Sequence, residues 1–245
     1  MKTRLLSLVA TLALCAPIAA QASDALKLSI QTGVASQHLF TDGIVLHDRP
    51  VEQTAILAKM PLGIMAGVWH VAGLDDMSLH SNGGDEFVFG GGWSAHTDQF
   101  VFEAGVKHHA NAGIRGQTTI PEIEFGYVAY RDTEHKIEPY VNAEFPISHG
   151  HVLTELSAGT EHVWRLTPNI ALKHRASGQF NSAAHGRDAA LLLVYRASIA
   201  WNLIKRDHFT MSVLGPTARI YTPLIESSGY NLQQAFGATV DVSWM

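Results

Sequence analysis

The sequence predicts an all-β protein: a single antiparallel transmembrane β-barrel of about twelve strands. Three observations predict it. Apolar and polar residues alternate with a period of two along most of the 245 residues, as strands with one greasy face require. The connections between these segments are alternately long and short. Charged residues recur on the polar face of strand after strand, which a dry core could not hold.

The first segment, 26–34, sets Leu26, Leu28, Ile30 and Val34 on one face and Lys27, Ser29, Gln31 and Gly33 on the other. Further along, Phe100, Phe102, Ala104 and Val106 oppose Gln99, Glu103 and Lys107. Ile123, Phe125, Tyr127 and Ala129 oppose Glu122 and Glu124, and Ile137, Val141, Ala143 and Phe145 oppose Lys136, Glu138, Asn142 and Glu144. The last segment sets Phe236, Ala238, Val240, Val242 and Trp244 against Thr239, Asp241 and Ser243. Twelve strands follow: 26–38, 51–60, 64–72, 86–96, 98–109, 120–131, 135–145, 152–164, 167–176, 189–203, 207–221 and 233–245.

Tight connections fall at Pro61-Leu62-Gly63, at Thr97-Asp98, at Asp132-Thr133-Glu134, in Arg165-Leu166-Thr167-Pro168 and in Lys205-Arg206-Asp207. The others are longer, up to the thirteen residues from Gly73 to Asp85. A soluble sandwich has no need of this alternation, whereas an outer-membrane barrel has short periplasmic turns and longer outer loops. An even strand number brings both termini to the periplasmic side.

A soluble all-β domain would alternate too, because one face packs on a core. It would then bury the inward charges unpaired, at several kcal/mol each by order of magnitude. A wet lumen removes that cost. The inward candidates are Glu122, Glu124, Glu138, Glu144, Glu155 and Glu161, an acidic wall on the sixth to eighth strands, with Lys173, Arg175 and Arg196 from the ninth and tenth. Either the walls stand apart across water and guide ions, or they meet and plug the bore; the excess of carboxylates favours cations if the pore conducts. The aromatics Trp69, Trp93, Trp164, Trp201, Tyr221 and Trp244 fit interfacial girdles. In-strand glycines such as Gly33, Gly67, Gly90 and Gly237 fit steep curvature or close contact with a large neighbour.

Residues 1–22 read as a secretory signal peptide: Lys2 and Arg4, an apolar run from Leu5 to Ala16, and an Ala20-x-Ala22 site. The barrel then occupies 23–245. Cys15, the one cysteine, falls inside the leader, and Leu14 before it is not the small residue of a lipoprotein signal. Neither disulfides nor thiolate metal sites are therefore available beyond the leader. The 17 basic and 22 acidic residues argue against nucleic acid as a partner.

Gly33, Ser36, Phe40, Gly43, Pro50, Gln53, Gly67 and Trp69, with Glu86 opening the next strand, form a pattern that resembles the N-terminal part of the TorF family of porins. His38 and Asp42 depart from it, standing where an aromatic and an arginine are expected. The likeness spans some 60 residues. It implies a small outer-membrane barrel with a pore role.

Outer-membrane lipid hydrolases use a His-x-Ser spacing, which puts imidazole and hydroxyl on one strand face. Here His80 and Ser81 are adjacent and run into Asn82-Gly83-Gly84, a turn signal. Ser148-His149 and Ser182 near His185 lack a third partner at a recognisable spacing, so no enzyme is expected. His149-Gly150-His151 and His108-His109 read as tolerated polar residues at strand ends rather than metal ligands. No cofactor is expected.

The expectation is thus an outer-membrane, narrow, porin-like passive channel for small polar or ionic solutes. The alternatives are a non-conducting structural or adhesive barrel and a lipid hydrolase. Outer-membrane lipid surrounds it, and the strand ending in Trp244 is the signal for the barrel-assembly machinery.

Overall fold

A computed structural model describes residues 26–39, 45–74, 85–110, 117–182, 189–206, 209–224 and 232–244. The leader at 1–22, the His80–Gly84 group and His185 lie outside them. Twelve strands form the wall: β1 (Lys27–Ala35), β2 (Val51–Lys59), β3 (Ile64–Gly73), β4 (Glu86–His96), β5 (Phe100–Ala110), β6 (Thr118–Tyr127), β7 (His135–Glu144), β8 (Glu155–Thr167), β9 (Ile170–Asn181), β10 (Ala190–Arg206), β11 (Phe209–Pro223) and β12 (Gln233–Trp244).

Each strand pairs antiparallel with its neighbours in the chain, and β12 returns to β1 in the register Leu28↔Trp244 to Ala35↔Gly237. The β6–β7 pairing, Tyr140↔Gly126 to Glu144↔Glu122, completes the circuit. The sheet therefore closes without an edge, which is the condition for a strand to cross hydrocarbon with its backbone groups satisfied. Above this junction Ile147–Ser148 pairs with Thr118 and Thr119, and beside it Tyr130–Arg131 pairs with Lys136 and Ile137.

The apolar face points outward. Phe89, Val141 and Trp201 are each more than half exposed. In water such a surface would be a liability; against lipid it is the surface that burial stabilises. Trp93, Trp164, Trp201 and Trp244 stand on this face near the strand ends that meet the short turns. Trp69 and Tyr221 do not join them, and here the girdle expectation needs correction. The two-residue period puts Trp69 on the face of Val71, whose register partner is buried Glu86. Its ring lies 3.2 and 3.1 Å from where a Cβ would stand on Gly67 and Gly90. Tyr221 is buried inside with Ala190, Leu192 and Val194.

Short turns are closed by side-chain oxygens, which is why Thr and Asp occur there. Thr97 Oγ1 accepts from the Phe100 amide at 2.9 Å, and Thr167 Oγ1 accepts from Asn169 and Ile170 at 3.2 and 3.0 Å. The Thr167 turn places the end of the eighth strand and the start of the ninth three residues later than expected. In the β2–β3 turn Gly63 has φ +78°, and a Cβ there would meet the Ser94 carbonyl oxygen at 2.0 Å, so only glycine fits. Asp132 holds the β6–β7 turn: Oδ1 accepts from the amides of Glu134 and His135 at 2.8 and 2.6 Å, and Oδ2 from the Tyr130 hydroxyl at 2.5 Å. Those bonds, the tyrosine's first, hold the Asp132 carboxyl down at about 2.

One outward stretch is polar. His135, His162 and His174 stack across β7, β8 and β9 with ring centroids 5.3 and 5.8 Å apart. His135 Nδ1 and His162 Nε2 share a hydrogen bond at 3.1 Å, and His174 Nδ1 shares one with the Tyr195 hydroxyl at 2.8 Å.

Candidate functional site

The polar faces of the strands meet in the lumen, and their residues form register rows across neighbouring strands. One row is acidic: Glu144 on β7 lies opposite Glu122 on β6 and Glu155 on β8. Another is basic: Arg196 on β10 lies opposite Arg175 on β9 and Arg219 on β11. Glu161 and then Glu138 continue the basic row into β8 and β7. Like charges placed directly opposite on one face repel, so each row is held at a cost.

Ion pairs relieve part of it. Arg175 reaches from β9 to β6, where Nη2 donates to Glu124 Oε2 at 2.6 Å and Nη1 to Oε1 at 3.3 Å. This two-pronged geometry is what guanidinium and carboxylate favour. The same guanidinium lies 3.6 Å over the Tyr140 ring and 3.9 Å from Glu161. Lys107 Nζ bonds Glu122 at 2.6 Å, and Lys136 pairs with Glu138. Glu144 Oε1 accepts from Asn142 at 3.2 Å, while its buried Oε2 has no hydrogen-bond partner among the described residues.

Two cavities occupy the bore. The smaller, about 230 Å³, is bordered by Glu103, Glu122, Glu124, Glu144 and Glu155. The larger, about 660 Å³, is bordered by Lys173, Arg219 and Glu161. Lys107, Arg175 and Arg196 border both. Of the nine residues expected in the lumen, eight border a cavity; Glu138 instead tucks against Gly126, with Oε1 2.8 Å from where a Cβ would stand. Arg175 joins the two walls, through Glu124 and at 3.9 Å through Glu161, while no ion pair links Glu144 to the basic row among the described residues.

Several residues of this arrangement were absent from the expected set. Glu103, Lys107 and Lys136 share the polar face that alternation defines, and Arg219 follows the same two-residue step as Thr217 and Tyr221. The strand period alone could have named all four. Glu86 is different: fully buried, it meets His38 Nε2 at 2.5 Å and His109 Nδ1 at 2.6 Å, from segments 48 and 23 residues away. The β4–β5 hairpin, with Val88 opposite His109, brings His109 to Glu86, and His38 joins them from beyond the end of β1.

His108 binds Thr119 at 3.0 Å while its neighbour His109 holds Glu86, so the pair faces opposite ways and cannot chelate jointly. No group of three or more His, Cys, Asp or Glu converges to hold a metal among the described residues. His149 and Gly150 turn through positive φ of 49° and 80°, which takes His149 off the strand that carries Ser148.

No family model matches the chain, and no curated protein matches its sequence. Its fold does match solved structures. The KdgM porin superposes with a TM-score of 0.53 at 9% identity, over 89% of this chain and 98% of that one. The COG4313 outer membrane channel from Pseudomonas putida F1 gives 0.52 at 10%, over 89% and 94%. The NanC porin gives 0.51 at 8%, over 89% and 99%. At these identities the likeness defines a class by fold: this chain is a twelve-stranded barrel of the outer-membrane type.

Proposed function

We propose that this chain is a narrow, passive, porin-like channel of the outer membrane for small polar or ionic solutes. One observation carries the reading: a closed barrel with an apolar outside whose inner wall is lined by charged side chains around cavities of about 660 and 230 Å³. Charge without an ionic partner among the described residues, such as that of Arg196, is stable in a bore only in contact with water, and a continuous water path is what conduction requires. The porins and the channel it resembles in fold support the same reading. The Gly33 to Trp69 pattern adds the TorF family as its kind, and the reading includes the cleaved leader at 1–22 and delivery by the barrel-assembly machinery.

Purified protein in planar bilayers should give discrete conductance steps in KCl. Silence would sink the channel. A second reading has its own observation, the Arg175–Glu124 bridge across the bore: a plugged barrel would be silent as wild type and would conduct as Glu124→Gln. Orientation is testable on intact cells, where a tag beside Ser182 should be reachable and one beside Asp132 hidden. The reverse pattern would invert the barrel.

A further inference from the structure

We propose that the lumen is matched to small zwitterions, solutes of amino-acid size bearing one ammonium and one carboxylate group. This rests on the channel reading and adds to it the class of solute.

The argument starts from what the two rows leave unneutralised. In the acidic row Glu122 has Lys107, but Glu144 has a buried carboxylate oxygen with no hydrogen-bond donor among the described residues. In the basic row Arg175 has Glu124, but neither Arg196 nor Arg219 forms an ion pair with a described carboxylate. Arg219 is also crowded by Arg196, its direct register partner. Each row therefore holds repulsion that an external group of opposite sign would relieve.

The rows belong to one continuous stretch of wall, β6–β8 followed by β9–β11. Their cavities share a border at Lys107, Arg175 and Arg196. A simple anion gains from Arg196 and Arg219 and is repelled by Glu144 and its neighbours; a simple cation meets the opposite pair of terms. A net-neutral solute with separated charges gains from both, because it can lie along the field that runs from the basic to the acidic row. In the smaller cavity, which Arg196 and Glu144 both border, its carboxylate accepts the fork-shaped donors of Arg196 and its ammonium meets the Glu144 carboxylate, with Arg219 next to Arg196 on the larger cavity.

Swelling of liposomes that contain the wild-type protein tests this directly. Three solutes of one carbon skeleton serve as probes: γ-aminobutyrate as the zwitterion, butyrate as the anion and n-butylammonium as the cation, with glycerol as the neutral control. Entry of the zwitterion should exceed that of either ion by about three- to tenfold, the ratio expected for one or two screened ion pairs. Butyrate or butylammonium entering as fast as the zwitterion overturns the proposal and leaves the channel intact. Glycerol entry no faster than in protein-free vesicles overturns the channel and the proposal together. Two double variants, Arg196→Gln with Arg219→Gln and Glu144→Gln with Glu155→Gln, are checked for folding by heat-modifiable mobility. In folded variants the zwitterion advantage should fall to parity in both; an advantage that survives both overturns the assignment to these rows.

Discussion

Two parts of the inner wall solve the same problem differently. Across β2–β4 the inner wall is largely apolar: Leu57, Trp69, Val71 and Val88 face inward, the indole of Trp69 is laid over Gly67 and Gly90, and Trp69, Val71 and Val88 border the larger cavity. Across β6–β11 it is lined instead with charge, and both cavities reach this side. The strands are alike in kind and pairing. Closure therefore does not decide the character of the bore; the choice between a large ring on glycines and rows of ionised groups decides locally whether the cavity wall is apolar or charged.

The strongest way to break the contrast is to remove the glycine that lets backbones meet. A Cβ on Gly92 would stand 2.4 Å from the Ala104 carbonyl oxygen, an unyielding backbone atom. Gly92→Val should therefore cost at least about 1–3 kcal/mol and abolish the heat-modifiable form, whereas Gly178→Ala, with nothing within 4 Å of its Cβ, should leave that form unchanged. Trp69→Ala widens the larger cavity at its apolar wall. It should enlarge the conductance with a smaller loss of stability in urea unfolding, and an unchanged conductance would show that the conducting path lies wholly on the charged side. Arg175→Gln leaves Glu124 without its cation, and a loss of about 1–3 kcal/mol should be visible in the same unfolding series.

The smallest effect lies at the β6–β7 turn, outside the wall. Folding lowers the Asp132 pKa, so its contribution is present above the ordinary carboxylate value near 3.8 and is lost as pH falls through about 2. The Tyr130 hydroxyl, which donates to Asp132, is shifted upward; its contribution is present below pH 10 and disappears as pH rises through the folded value. Tyrosinate absorbance should move Tyr130 back down in Asp132→Ala. No movement would mean that the hydroxyl does not hold the turn.

Much of this was legible in the sequence because a strand has the simplest code there is. A period of two fixes the face of every residue once one is known, and the twelve segments and their short turns followed from it. The same period contained Arg219 and the inward turn of Trp69, which shares its face with Gly67 and Val71; reading Trp69 by residue type, as a girdle aromatic, overrode its position. The shift at Thr167 came from a hydroxyl closing its own turn, a local bond that hydrophobic alternation cannot register. The contacts of Arg175 with Glu124, 51 residues apart, and of Glu86 with His38 join residues that are not on neighbouring strands and depend on how the sheet curves around the barrel. No local pattern encodes that.

The outward stack of His135, His162 and His174, ending on Tyr195, has a consequence for how this surface can change. His135 stands at the turn end of β7 with Glu134 4.0 Å away, whereas His162 and His174, further along their strands, find their hydrogen-bond partners in the neighbouring side chains. The members of the stack are therefore exchangeable as sets and not singly. Losing Tyr195 alone strands His174, and losing His135 alone strands His162, while replacing either hydrogen-bonded couple by leucines removes the need along with the partner. A drift from polar to greasy on this flank would have to pass in two paired steps, each unfavourable at its midpoint.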